Sequence, residues 1–131
     1  MPGSTTGEPI RKWSFFTTRD GRYEIHSRVA GVSIGDRQDV VAALTPDEQL
    51  RLVREPTNPH DPNAVLVQRQ DGGVLGYLPR DLAAWAAPWI DWHGGAVPAW
   101  VTEVLGGTQF ARTLGAEIGF WVGQSNHVRG E

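Results

Sequence analysis

The chain predicts a small, mainly β domain: an OB-like or SH3-like closed barrel of about six strands with one or two short helices. Three observations lead there. Sixteen glycines and nine prolines punctuate 131 residues. The apolar residues fall in short β-prone runs rather than long helical stripes. Turn signals such as Asp20-Gly21 and Asp71-Gly72-Gly73 separate those runs.

Residues 1–11 are small, polar and rich in Gly and Pro, and read as a disordered tail. Trp13–Thr18 and Tyr23–Ile25 flank Arg19-Asp-Gly-Arg22, a hairpin signal, so 12–27 form an N-terminal hairpin extension. The barrel proper is expected over 28–123. Arg28–Ile34 reads as a strand, with Gly31 marking a bulge or a close approach. Asp36 is placed to cap a short helix over Arg37–Leu44, and Pro46 then opens a turn.

Leu50–Arg54 is the next strand, and Glu55–Asn63 the loop after it. Ala64–Arg69 and Val74–Leu78 pair as a hairpin through Asp71-Gly72-Gly73. Pro79–Trp92 is the main helix: Pro79 fits its first turn and Asp81 its positive end. Leu82, Trp85, Trp89 and Trp92 recur at helical spacing and are expected in the core. Pro88 should kink the helix or split it. Val97–Leu105 and Ala116–Val122 are the last strands, joined by the glycine-rich loop from Gly106 to Arg112. Residues 124–131 read as a frayed end.

Composition narrows the function. A net charge of −3 argues against coating nucleic acid by electrostatics alone, yet leaves room for a small basic patch. Arg28, Arg37, Arg51, Arg54, Arg69 and Arg80 lie in the central part of the chain and are its candidates. There are no cysteines, which excludes disulfides and thiolate metal sites and fits a cytoplasmic location. No run reaches the length of a membrane span, and the start has no signal-peptide pattern. His26, His60, His93 and His127 are scattered without ligand spacing, so neither a metal nor another cofactor is expected. No nucleophile or phosphate-loop motif is present, and no enzyme is predicted.

The chemistry concentrates in Asn58-Pro-His-Asp-Pro-Asn63, part of a loop holding three prolines and two asparagines. Two readings stand. In one, the Asn and Asp side chains bond to nearby backbone N–H groups and serve structure only, Asp61 before Pro62 closing an Asx turn and Asn63 capping the strand entry. In the other, a rigid rim presents His60 and Asp61 outward, the carboxylate to accept from a hydroxyl and the imidazole to stack on a base. Tyr77 is either core with its hydroxyl at an edge, or a groove-facing stacker. Phe110 lies in a polar loop where nothing forces its burial, and is a candidate base platform.

These segments resemble a known family. Val29-Ala-Gly-Val32, Arg37, Leu50-Arg-Leu-Val-Arg-Glu-Pro56, Asn58-Pro-His-Asp-Pro-Asn-Ala-Val65 and Gly76-Tyr-Leu-Pro-Arg-Asp-Leu-Ala83 are similar, in order, to a HIRAN domain. The resemblance runs from about residue 28 to 122. It implies a modified OB-like barrel that binds single-stranded DNA at free 3′ ends. It assigns Asp61 to the terminal 3′-hydroxyl, His60 to stacking, Arg80 to a phosphate and Phe110 to a base. Tyr77 stands where the eukaryotic members carry a histidine. Those members also grip the terminal nucleotide with an arginine–tyrosine pair on the first strand. Here Arg28 is one position out of register and Val29 replaces the tyrosine. The implied role is an accessory to DNA repair or replication, with a helicase or nuclease as the protein partner and the chain itself a monomer. The alternative is a non-catalytic protein-interaction module using the Trp85, Trp89 and Trp92 helix face.

Overall fold

A computed structural model describes residues 12–123. The expected tail, the frayed end and His127 lie outside them. The order of elements is β1 (Trp13–Thr17), β2 (Tyr23–Arg28), α1 (Arg37–Ala42), β3 (Gln49–Arg54), β4 (Val65–Arg69), β5 (Val74–Tyr77), α2 (Arg80–Trp92), β6 (Ala96–Leu105) and β7 (Gly115–Val122). The seven strands form one antiparallel sheet in the order β1-β2-β7-β6-β3-β4-β5.

The mainly β class and the two short helices agree with the sequence. Closure differs. No strand ladder joins the two ends of the sheet, β1 and β5; one isolated bridge ties Ala30, just beyond β2, to Tyr77 at the end of β5. Each of these residues donates its N–H to the other's carbonyl, at 2.7 and 2.9 Å. Gly76 makes that approach possible, because a Cβ there would sit 2.1 Å from the Ala30 carbonyl oxygen.

Alternation along the strands explains the core. Ile25 on β2, Ile118 and Phe120 on β7, Val101 on β6, Leu50 and Leu52 on β3, and Val65 and Val67 on β4 are fully buried on one face. The opposite face carries Glu24, His26, Glu117, Trp100 and Trp121. Trp100 lies flat over Gly119, where a Cβ would come within 2.5 Å of its ring.

Four expectations fail locally. The strand read over Arg28–Ile34 ends at Arg28, because the chain turns through Gly31 and Gly35, at φ +76° and +60°. Asp36 makes no side-chain capping bond to α1. Pro88 does not split α2, which runs through it: Pro88 and Ala84 both face solvent, so the carbonyl that loses its donor can bond water. The tryptophan stripe is not the core face. Of the expected stripe, Leu82 is buried and Trp89 packs part-buried against the core, while Trp85 is 46% and Trp92 64% exposed; Ala83, Ala86, Ala87 and Ile90 complete the buried face. At 100° per residue the two stripes lie about a third of a turn apart, and the smaller side chains let α2 sit closer to the sheet.

Candidate nucleic-acid interface

The loop between β3 and β4 is held by its own side chains. Asn58 Oδ1 accepts the backbone N–H groups of His60 at 2.8 Å and Asp61 at 3.2 Å. Asp61 Oδ1 accepts the N–H of Asn63 at 2.9 Å. The Asx turn expected at Asp61 therefore exists, Asn58 adds a second, and the two fix the direction of His60 and Asp61.

A second layer joins this loop to β5. Glu55 Oε1 accepts from Asn58 Nδ2 at 3.0 Å and from the Tyr77 hydroxyl at 2.7 Å. Burial pushes the Tyr77 hydroxyl above its ordinary pKa of 10.0, and the bond to the Glu55 carboxylate adds to the rise. The Arg37 guanidinium lies 5.6 Å from the centre of the Tyr77 ring, and its Nη1 donates to the Gly31 carbonyl at 2.8 Å. At the start of α2, Arg80 Nη2 donates to the His60 carbonyl at 3.0 Å, and Nε lies 3.8 Å from Asp61 Oδ2.

These contacts enclose a cavity of about 280 Å³ lined by His60, Asp61, Tyr77 and Arg80 together with Asn58 and the apolar floor of Ala30, Ala64 and Leu78. Four of the six residues singled out from sequence thus share one cavity. His60 and Arg80 are exposed at its mouth, whereas the Asp61 side chain is only 16% exposed and faces less outward than a rim residue would. Arg28 lies elsewhere: it lines a neighbouring cavity of about 490 Å³ with Lys12, Val29, Gly106, Thr113 and Leu114. Phe110 lines neither cavity and projects from the β6–β7 loop at 89% exposure.

Two of the six basic-patch candidates are spent on ion pairs. Arg54 is bonded to Asp91 at 2.9 Å and to the Ala64 carbonyl at 3.0 Å, and Arg69 to Glu48 at 2.6 Å. These arginines tie elements together rather than face solvent as free charge. Sequence reading gave Glu55, Arg37 and Ala30 no role in the site: all three stood inside the family motifs, and Arg37 among the basic-patch candidates, but they enter the site through contacts distant in sequence. Among the described residues, no cluster of three or more His, Asp or Glu side chains could hold a metal, and no helix is long and apolar enough to cross a membrane.

A one-sheet antiparallel β fold with a rigid polar loop and a small cavity against the start of a helix defines a compact binding domain. The comparisons give its family. The HIRAN domain model matches residues 23–114, and the chain belongs to the HIRAN domain family. The helicase-like transcription factor of Oryctolagus cuniculus is 34% identical over 80 residues, which are 61% of this chain and 8% of that protein. Two crystal structures share the fold. A protein from Lactobacillus plantarum has a TM-score of 0.61 at 22% identity, covering 83% of this chain and 93% of that one. The HIRAN domain of human HLTF has a TM-score of 0.56 at 23% identity, covering 90% and 86%.

Proposed function

We propose that the chain is a non-catalytic nucleic-acid-binding module that takes single-stranded DNA, reading a free 3′-hydroxyl at Asp61, as an accessory to DNA repair or replication. The observation that carries this reading is the cavity that gathers His60, Asp61, Tyr77 and Arg80. Asp61 is the hydroxyl acceptor: Oδ1 is taken by the Asn63 N–H, while Oδ2 faces Arg80 at 3.8 Å, outside hydrogen-bond range. Arg80 is 76% exposed, so its guanidinium can also reach a phosphate. His60 and Tyr77 supply ring faces for stacking. Arg28 and Phe110 lie outside the cavity and would contact the strand further from its end.

The test is fluorescence anisotropy with a labelled single strand ending in a 3′-hydroxyl or a 3′-phosphate. Tighter binding of the hydroxyl, abolished by Asp61→Ala, is the expected result. Arg80→Ala should weaken both strands and flatten the salt dependence by about one unit of slope. Equal binding of both ends would remove the end-reading role. No binding of either would favour the second reading, a protein-interaction surface on α2. The exposure of Trp85 and Trp92 supports that surface, and acrylamide should quench their fluorescence strongly unless a partner covers them.

A further inference from the structure

A third cavity, of about 240 Å³, lies at the other end of α2 and is lined by Arg22, Trp89, His93, Pro98, Trp121 and Gly123. The thirteen residues of α2 put it about 20 Å along the helix from the Asp61 cavity. Its walls are planar groups. The Arg22 guanidinium stacks on the Trp121 ring at 4.2 Å, and Trp121 is followed by Trp100 at 5.7 Å. The Trp89 and His93 rings are 4.3 Å apart.

The polar groups around these walls have hydrogen-bonding capacity left over. Arg22 Nε is engaged by Asp20 at 2.9 Å, leaving the two terminal nitrogens. His93 Nδ1 donates to the Trp89 carbonyl at 2.9 Å, which leaves Nε2 as an acceptor for another partner. The Trp89 indole N–H is buried and has no acceptor among the described residues. Flat π faces, a guanidinium with free donors and an imidazole acceptor together call for a planar heteroaromatic ring with acceptors and a donor on its edge.

We infer that this cavity is a second binding site, one for a nucleobase-type ring, separate from the Asp61 cavity. The ring packs against the tryptophan walls, and its edge accepts from the Arg22 guanidinium and donates to His93 Nε2. The inference stands apart from the 3′-end reading, because a bare base carries neither hydroxyl nor phosphate for Asp61 or Arg80 to hold.

The test follows the indole N–H resonances of the full chain by NMR, with the Trp89 and Trp121 signals assigned through Trp89→Phe and Trp121→Phe. N9-methyladenine is titrated first, then an oligoadenylate blocked with a 3′-phosphate, then the same strand without bases. Both resonances should move with the base and with the strand, and neither with the abasic strand. A tighter response to the strand than to the base would identify a polynucleotide as the source of the ring; an equal response would identify a free nucleotide. Arg22→Ala and His93→Ala should each weaken the response about tenfold, while Asp61→Ala leaves it unchanged. The inference is overturned if the base moves neither signal, if the two variants respond like the parent, or if only a polyproline peptide moves them.

Discussion

Glu55 shows how much one carboxylate organises. Its Oε1 joins Tyr77 on β5 to Asn58 in the loop, so the cavity wall and the cavity rim share one acceptor. Glu55→Ala should lower stability by about 1–3 kcal/mol in urea denaturation, since two part-buried donors lose their partner. It should also lower the Tyr77 pKa, because the carboxylate is one of the causes that raise it. Ultraviolet titration can read this, as the chain has only two tyrosines. Glu48 offers a test at acid pH. Partial burial works against its charge, but bonds from the Arg69 side chain and the Thr45 N–H outweigh that and hold its pKa below 4.5. Its stabilising effect is therefore complete above pH 4.5 and lost as pH falls through the lower, folded value. Glu48→Gln should melt earlier than the parent at neutral pH, and the gap should close on acidification. The sequence showed that the loop was special and named His60 and Asp61 within it. It did not show Glu55 as their organiser, because that role exists only once β5 lies beside the loop.

The element scale is decided by α2. Its spacing was legible, and its two ends were placed within a residue; its buried face was not. Hydropathy favours the tryptophans, but packing favours Leu82, Ala86 and Ile90, which let helix and sheet come together. Ile90→Ala should cost about 2–5 kcal/mol by chemical denaturation, whereas Trp92→Ala should cost less than about 1. Trp85 serves another element. It stacks on Trp13 at 6.4 Å and meets Tyr23 edge-on at 6.0 Å, while Trp13 Nε1 donates to Asp81 at 3.1 Å. Those contacts anchor the first hairpin to the helix that also carries Arg80. Trp85→Ala should loosen β1 ahead of the rest, seen as faster hydrogen exchange over Trp13–Thr17 while the β7 core stays protected.

Across the whole molecule, the Ala30–Tyr77 bridge draws β5, one edge of the sheet, against the chain just beyond β2. Both bridged residues line the Asp61 cavity, so the contact that draws the sheet together also shapes the site. Gly76→Ala should therefore destabilise by about 3 kcal/mol or more, its Cβ being driven against the Ala30 carbonyl. Gly72→Ala, at φ +94° with open space around it, should cost only about 1 kcal/mol and provides the control. A smaller loss at Gly76 than at Gly72 would show that the bridge does not hold β5 in place. What the sequence determined by itself were the features written in local chemistry: the hairpins at Asp20-Gly21 and Asp71-Gly72-Gly73, the limits of α2, the Asx turns and the family motif around Asp61. Only the tertiary structure decided the rest: which face of α2 is buried, which arginines are neutralised, that four site residues meet while Arg28 and Phe110 stay outside, and that tryptophans far apart in sequence enclose a cavity at the helix end. The physical reason is that turns and caps depend on neighbours along the chain, whereas burial, charge pairing and cavity shape depend on neighbours across it.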